Sequence, residues 1–197
     1  MTLSPADMDL IFRNASTHNG WLPKPVGDAQ LRELYELMKW APTSMNTSPA
    51  RILFLRDPQA KERLKPALSP GNVDKTMAAP VTAIIAYDTQ FYELLPQLFP
   101  PNPNARGIFA GEDKKAHAET TAFRNASMQG GYFIIAARAL GLDCGPMSGF
   151  NNAKVDAEFF PGTGVKSNFL CSLGYGDPAK VGPRSPRLAF DEACKLL

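Results

Sequence analysis

Polar side chains are concentrated in a short segment between two prolines, Pro42 and Pro49. The segment carries four hydroxyl side chains and one amide, among them Thr43, Ser44 and Asn46, and it has no formal charge. Such a turn can hold an uncharged polar group through many hydrogen bonds. The same residue types also satisfy the free main-chain groups at a helix end. Ligand binding and helix capping are therefore both open interpretations of this segment.

Three further segments carry groups that suit ligand binding. A glycine-containing loop presents the amide of Asn72 and the ammonium of Lys75, although a solvated lysine would give the same pattern. Within residues 141–150 a helix is expected to end at Gly141, and two further glycines would let the main chain approach a flat ligand. Arg184 and Arg187 offer the planar donor forks that bind phosphate oxygens in pairs, but they could equally be solvated.

Several familiar catalytic motifs are absent from the sequence. It has no Gly-x-Gly-x-x-Gly, no P-loop, no Gly-x-Ser-x-Gly elbow and no His-Glu-x-x-His. Rossmann dehydrogenases, P-loop NTPases, α/β-hydrolases and zincin proteases therefore lose support. Three widely spaced cysteines without a Cys-x-x-Cys pair predict reduced thiols, no disulfide framework and no metal site.

Length and composition indicate a soluble protein with one domain spanning residues 1–197. The chain is 44% hydrophobic and 20% charged, with a formal net charge of +2. This mild charge, without a stripe of basic and aromatic residues, predicts no nucleic-acid partner. No apolar run reaches the roughly 20 residues of a membrane helix, and no signal-peptide pattern is present. We therefore predict a cytoplasmic protein without a membrane partner.

Helices and strands alternate along the chain and should position these segments. A helix from about residue 28 to Pro42 would place four apolar side chains on one face, namely Leu31, Leu34, Tyr35 and Met38. Runs of β-branched and aromatic residues predict strands at 51–56 and 81–87, and residues 167–173 are predicted as a third strand that ends before Gly174. Other patterns predict helices at 5–15, 61–68 and 113–140, and an irregular surface loop at 99–106. The alternation favours an α/β or α+β sandwich whose central sheet has mixed strand direction and is flanked by helices.

The longest predicted helix, residues 113–140, is apolar nearly all round in its middle. Such a helix must be covered on several sides, and one chain of 197 residues can hardly surround it alone. An extensive interface between two copies of the chain would cover its outer face. A central core helix in a monomer is the alternative.

Taken together, these segments resemble the nitroreductase superfamily of FMN-dependent oxidoreductases over nearly the whole chain. The resemblance is greatest to the branch of NADH dehydrogenase/NAD(P)H nitroreductases that includes malonic semialdehyde reductase. The most specific segments are residues 17–21, 38–51, 123–129 and 145–150. The resemblance implies an α+β nitroreductase-like fold and a homodimer, with the long central helix and two FMN molecules at the subunit interface. It also implies NADH or NADPH as the reductant, and no adenosine-ribose motif separates the two.

The resemblance gives the candidate residues separate roles toward FMN. The family turn that contacts the flavin and its ribityl chain is matched by Pro42, Thr43, Ser44 and Asn46. The loop at the pyrimidine edge, where an amide and a cation suit the reduced ring, is matched by Asn72 and Lys75. The segment along the ring near N5 is matched by Pro146, Met147, Ser148 and Gly149. The C-terminal cations that bind the phosphate are matched by Arg184 and Arg187.

One segment departs from the family pattern. Most members carry an Arg-x-Ser-x-Arg-like phosphate motif, whereas this chain reads Ala-Ser-Thr-His-Asn and lacks both cations. Thr17 and Asn19 can still donate hydrogen bonds, and His18 is either a phosphate contact or an ordinary structural histidine. Phosphate binding should therefore depend more strongly on Arg184 and Arg187.

The implied activity is a hydride relay in which NAD(P)H reduces FMN and an electron-poor acceptor then takes the hydride. The acceptor would be a nitroaromatic, a quinone or an aldehyde such as malonic semialdehyde, which would give 3-hydroxypropionate. No side chain is assigned as a catalytic acid or nucleophile. Phe123, Arg124 and residues 91–109 are candidates for the mouth of the pocket. Two other interpretations stay open: a flavin-binding protein without reductase activity, and an interaction domain that binds no flavin.

Overall fold

Four strands form one sheet in the computed structural model, which describes residues 2–197. They are β1 (Ala50–Leu55), β2 (Val81–Asp88), β3 (Asp143–Met147) and β4 (Val165–Gly174). Their spatial order is β1-β2-β4-β3, and every neighbouring pair is antiparallel. The three strands predicted from sequence are confirmed as β1, β2 and β4. The expected mixture of strand directions is wrong for this sheet.

Eight α-helices accompany the sheet within the described residues. In chain order they are α1 (Pro5–Met8), α2 (Asp28–Met38), α3 (Pro58–Leu64), α4 (Val73–Ala78), α5 (Leu95–Leu98), α6 (Lys115–Ala139), α7 (Asn152–Phe159) and α8 (Phe190–Ala193). A π-helical turn, Asp9–Arg13, continues α1. Across residues 2–197 we find no helix with the length and apolar character needed to cross a membrane.

The connection between β1 and β2 explains why these strands are antiparallel. A single crossover helix returns the chain to the starting end of the sheet and makes the next strand parallel. Here two helices, α3 and α4, follow β1 in succession. After them β2 begins beside the end of β1, where Thr82 pairs with Leu55. The sequence pattern contained a helical signal only near residues 61–68 and therefore missed α4.

Helix α2 buries three of the four side chains predicted for its apolar face. Leu31, Leu34 and Met38 lie in the core, where α2 packs against α6. Tyr35 instead is 51% exposed, because the core covers only a narrow stripe of this helix. The helix ends at Met38, four residues before Pro42, and one further turn of chain separates it from the polar segment.

Helix α6 is the central element of the fold and spans 25 residues. Its inner face packs on the sheet, and Phe133 is completely buried in the core shared with α2. A Cβ atom at Gly130 would lie 2.6 Å from the ring of Phe169, so glycine is needed for this close approach to β4. The predicted long helix is confirmed to within two residues at each end.

The other side of α6, which we call its outer face, is apolar and exposed. Large side chains there leave between 38% and 49% of their surface accessible, namely Phe123, Met128, Tyr132 and Ile135. Gly131 lies on the same face, and a Cβ atom there would have no heavy atom within 4 Å. A contiguous apolar helix face of this kind is characteristic of an interaction surface.

Residues 89–114 form an excursion between β2 and α6, and within it residues 99–104 are the irregular, mostly exposed part of the loop predicted at 99–106. The excursion contains α5 and short 3₁₀ turns at Phe91–Leu94 and Ala105–Ile108. Phe91, Leu95 and Phe109 are buried against the first half of α6. The apolar residues on either side of that loop therefore pack as a layer over α6, while the prolines and asparagines form exposed turns.

Candidate functional site

The predicted site residues fall into two groups at opposite edges of the sheet. The first group surrounds β3, and the second is the polar turn that leads into β1. Because β2 and β4 lie between these two edge strands, β1 and β3 are separated by three strand spacings, or about 14 Å. One copy of the chain therefore does not bring all predicted FMN contacts to one place.

In the first group, residues 17–19 run beside β3. Thr17 forms a parallel bridge with Cys144, and the main-chain N–H of His18 donates to the Cys144 carbonyl at 3.0 Å. A Cβ atom at Gly145 would lie 2.6 Å from the His18 carbonyl oxygen, so this glycine permits the contact. The side chains of Thr17 and Asn19 are exposed. The fold thus places residues 15–19, which lack the two arginines of the family motif, beside β3, which leads into the residues predicted to follow the flavin ring.

The same group includes Asn72 and the end of the β3 segment. The amide of Asn72 donates to the Gly149 carbonyl at 2.7 Å, and the N–H of Ser69 donates to the same oxygen at 3.0 Å. Ser148 is exposed beside them. The side chain of Met147 is buried, and its sulfur accepts a hydrogen bond from Thr76 at 3.3 Å. Only the main chain of Met147 is therefore available to a ligand.

Cations stand near this group at two points. Lys75 is tied to it through its carbonyl, which accepts from the indole N–H of Trp21 at 3.1 Å, and its ammonium has no hydrogen-bond partner among the described residues. Arg184 reaches back from the C-terminal segment and donates to the Ala15 carbonyl at 2.5 Å. Arg187 bonds only to neighbouring carbonyls. The structure therefore brings Lys75 and Arg184 to the first group and leaves Arg187 apart.

His18 has a structural anchor that the sequence did not reveal. Its Nε2 lies 3.2 Å from a carboxylate oxygen of Asp143, whose other oxygen accepts from the Gly176 N–H at 2.8 Å. The Nδ1 atom of His18 is buried and has no partner among residues 2–197. Arg138, itself buried, donates to the Ser16 carbonyl at 2.8 Å and so holds the start of the same segment.

Replacing Gly176 with alanine should disturb this anchor. A Cβ atom there would lie within 2 Å of the His18 ring, at 1.8 Å from Nδ1, so the ring must move and the contact with Asp143 is lost. We expect a loss of about 1–3 kcal/mol in the free energy of unfolding, as for other overpacked sites. Gly182→Ala is the matched control, since no atom lies within 4 Å of its added methyl group. Equal urea denaturation curves for the two variants would contradict the assigned contact.

The second group is the turn that follows α2, and its main chain is strained. Met45, Asn46 and Ser48 have φ values of 54°, 51° and 40°, a region that residues other than glycine seldom occupy. Such conformations cost roughly 1–3 kcal/mol each and persist where the surroundings hold them. The N–H of Ser48 donates to the hydroxyl of Thr43 at 3.1 Å. The proline-bounded turn therefore has a fixed shape rather than that of a solvent loop.

Two buried polar residues of α6 hold this turn. The amide oxygen of Asn125 accepts from the Ser44 N–H at 2.8 Å, and that of Gln129 accepts from the Ala50 N–H at 2.9 Å. Both side chains are nearly inaccessible, at 2% and 4% of their surface. Sequence reasoning did not single them out as site residues. The sequence feature that could have identified them is a pair of amide side chains, four residues apart, in an otherwise apolar stretch of the helix.

Some side chains of the turn form hydrogen bonds within the chain, and others are exposed. Asn46 donates to the Leu98 carbonyl at 2.8 Å, so it fastens the turn to the excursion over α6. Pro42 and Ser44 are exposed, and Thr43 is half-buried. The hydroxyl of Thr47 is buried without a partner among the described residues. Asn46 is thus already engaged within the chain, whereas Ser44 remains free to meet a ligand through its hydroxyl.

The long central helix, the antiparallel sheet and the amide-held turn define an α+β protein of nitroreductase fold. The chain belongs to the Nitroreductase family, whose sequence profile matches residues 16–176. It is 63% identical over 189 residues to a protein of Cupriavidus pinatubonensis and 61% identical over 186 residues to one of Ralstonia pickettii. The first alignment covers 96% of both chains, and the second covers 94% of this chain and 95% of the relative. Both relatives carry the provisional name NADH dehydrogenase/NAD(P)H nitroreductase.

Solved structures confirm the predicted fold. The provisionally assigned nitroreductase ydfN of Bacillus subtilis superimposes with a TM-score of 0.88 at 20% identity, covering 98% of this chain and all of that one. A provisionally assigned nitroreductase of Exiguobacterium sibiricum, solved in complex with FMN, gives a TM-score of 0.83 at 15% identity. That comparison covers 100% of this chain and 99% of the other.

Proposed function

We propose that this protein is an FMN-dependent NAD(P)H oxidoreductase that transfers hydride equivalents to an electron-poor small molecule. The observation that carries the proposal is the placement of unsatisfied polar groups. The two buried side-chain atoms without partners in residues 2–197, on His18 and Thr47, fall one in each group of predicted FMN contacts. Buried polar atoms in folded proteins are almost always bonded. Nδ1 of His18 packs against Gly176, so the Thr47 hydroxyl in the polar turn is the atom that calls for a partner from outside the described residues.

The donor set of the two groups fits FMN. A phosphate needs cations and N–H donors, and the first group offers Arg184 together with Thr17 and Asn19, while Arg187 lies three residues further on. A ribityl chain needs uncharged partners, and Thr43 and Ser44 supply hydroxyls. The missing Cβ of Gly149 makes room for the amide of Asn72, which a Cβ there would approach to 2.5 Å, so Asn72 is held against the segment proposed to follow the flat ring. Lys75 would place positive charge at the pyrimidine edge.

Bound FMN would supply the two-electron chemistry, accepting hydride from a nicotinamide and passing it to the acceptor. The chain itself orients the reactants and excludes water. Residues 146–149 would lie along the ring, and their position is fixed by the hydrogen bonds at Gly149. The strained turn would keep its hydroxyl groups in a preformed binding geometry before the ligand binds. No catalytic acid is assigned among the side chains.

We further propose a homodimer with an FMN molecule at each of two shared sites. The two residue groups lie at opposite sheet edges of one chain, and in the proposed dimer a second copy would bring its turn to the first group of its neighbour. The outer face of α6 is exposed and apolar, and it begins next to the turn at Asn125. Closed two-fold dimers are the commonest arrangement of soluble oligomers.

The acceptors proposed are nitroaromatics, quinones and aldehydes such as malonic semialdehyde. For a nitroarene, NAD(P)H gives up a hydride and solvent supplies a proton, while the nitro group becomes a nitroso group and water leaves. For an aldehyde, the hydride goes to the carbonyl carbon and the proton to its oxygen, which gives an alcohol. Steady-state rates on malonic semialdehyde, a nitroaromatic and a quinone distinguish these acceptors. A negligible rate on the aldehyde would remove it.

The test of the proposed function is anaerobic mixing of the FMN-loaded protein with NADH and with NADPH. We expect the visible flavin absorption to bleach with at least one reductant and to recover when an acceptor is added. A yellow protein that never bleaches would be a flavin-binding protein without reductase activity. A protein that stays colourless after FMN is added would contradict the proposal altogether.

Arg184 and Arg187 should differ in their effect on FMN affinity. Arg184 is held against the segment 15–19, whereas Arg187 bonds only locally. Loss of a charged hydrogen bond costs about 1.5–3 kcal/mol, so Arg184→Ala should weaken FMN binding roughly 10–100-fold, with a smaller effect for Arg187→Ala. Flavin fluorescence titration measures both. Unchanged affinity in the double variant would refute the phosphate assignment.

A cytoplasmic location also remains a proposal. Its support is the state of the cysteines: Cys144, Cys171 and Cys194 are all free thiols. A hydrogen bond with Cys144 and complete burial raise the pKa of the Cys171 thiol well above its ordinary value, so the Cys171 thiol stays protonated in the core. Such thiols persist in a reducing compartment.

A further inference from the structure

Arg124 projects a cation from the exposed side of α6, one residue away from the side chain that holds the polar turn. Asn125, its neighbour, accepts the hydrogen bond from Ser44 at 2.8 Å. We propose that Arg124 binds the carboxylate of the acceptor, and that the protein therefore prefers electron-poor acceptors that carry an acidic group. This inference rests on the proposed function, because it places the acceptor at the same site as FMN.

The guanidinium of Arg124 has no partner in the chain itself. Within residues 2–197 it forms neither a salt bridge nor a hydrogen bond, although most other arginines do. Glu119 is the sole acidic residue of α6, and Lys166 already binds its carboxylate at 2.6 Å. The positive charge of Arg124 is therefore available to a ligand.

The aromatic residues beside Arg124 suit a flat acceptor. Phe123 is 49% exposed and meets the ring of Tyr87 edge-on at a centroid distance of 5.6 Å. Burial, reinforced by the charges of Glu119 and Asp156, raises the pKa of Tyr87 to about 12, so this phenol stays neutral. An aromatic surface next to a free guanidinium matches an arene or a conjugated carbonyl that also carries a carboxylate.

The proposed dimer strengthens the argument. Arg124 lies on the face of α6 that a second copy would cover, and a guanidinium removed from water without an anion is unfavourable. A carboxylate on the acceptor satisfies this charge each time the acceptor binds. A carboxylate from the second copy would satisfy it permanently, and the test separates these two possibilities.

The test uses two nitroarenes of the same shape and different charge, 4-nitrobenzoate and 4-nitrobenzamide. In the FMN-loaded protein, Arg124→Gln should lower the ratio of kcat/KM for the benzoate over the amide roughly 10–100-fold, since one charged hydrogen-bond pair is lost. The change should appear in KM for the benzoate. Arg124→Lys should restore part of the ratio, because it keeps the charge without the planar fork.

Lys115→Ala is the matched control, an exposed cation at the start of the same helix, and it should leave the ratio as in the wild type. A ratio that does not change in Arg124→Gln would overturn the proposal. An equal loss for both nitroarenes together with a weaker dimer would also overturn it, in favour of a carboxylate from the second copy.

Direct binding keeps the proposal testable if turnover fails. Calorimetric titration of the FMN-loaded protein with 4-nitrobenzoate should show tighter binding to the wild type than to Arg124→Gln, by the same factor. If the wild type reduces neither nitroarene yet shows this difference, the proposed function fails for nitro acceptors while the anion site stands. Equal binding by both proteins would refute the anion site alone.

Discussion

Ile135→Glu should convert the proposed dimer into a folded monomer that no longer retains FMN. Ile135 is 38% exposed on the outer face of α6, near the open position at Gly131. In a two-fold dimer the substitution would bury one carboxylate from each copy in an apolar interface, at a cost of several kcal/mol per ion. The dimer dissociation constant should therefore rise roughly 1,000-fold or more.

Sedimentation velocity and the flavin absorbance of the same sample measure both effects together. Lys115→Glu introduces the same charge on the same helix, away from the apolar face, and should leave a yellow dimer. Because Ile135 is partly exposed in the single chain, circular dichroism should show an intact fold in the monomer. A monomer that keeps its FMN would show that one chain holds the whole site.

Asn125→Ala should release the polar turn and weaken FMN binding by about 100-fold. The substitution leaves the Ser44 N–H without its acceptor, and three residues in a strained conformation lose one of the contacts that hold them. An unmade hydrogen bond in a buried setting costs about 1–3 kcal/mol, and relaxation of the turn adds to it. The free energy of unfolding should fall by about 2 kcal/mol.

Thr120→Ala separates this effect from a general change in α6. Both residues bond to a carbonyl four positions earlier, Thr120 to Ala116 at 2.9 Å and Asn125 to Thr121 at 2.8 Å. Thr120 is exposed and does not touch the turn. FMN titrations should therefore match the wild type for Thr120→Ala. Equal affinity in Asn125→Ala would mean that the turn does not depend on this amide.

Local periodicity was sufficient to predict the elements with strong patterns. The β-branched run of β2, the apolar residues of β4 and the long apolar run of α6 are features of sequence alone. Strand β3 was missed because Gly145 and Pro146 disfavour strands in general. Proline is tolerated there since β3 lies at the sheet edge, and edge position is a property of the tertiary fold.

The division of the site into two groups could not be predicted from spacing. Family resemblance gave each residue a role toward FMN, but it did not give the order of strands that places β1 and β3 at opposite edges. The anchoring contacts were missed for the same reason. His18 and Asp143 are distant in sequence, as are Ser44 and Asn125, and such pairs are visible only after the chain has folded.

A mixing experiment tests most directly whether each FMN is held by two copies of the chain. Asn125→Ala damages the turn, whereas the Arg184→Ala/Arg187→Ala double variant damages the first group. The FMN concentration is set between the FMN dissociation constant of the wild type and that of each variant, so each variant alone should bind little FMN. After the two are unfolded, mixed in equal amounts and refolded, half of the dimers should be mixed, and each should contain one intact site. We predict recovery of about a quarter of the wild-type FMN content, whereas no recovery in the mixture would contradict a shared site.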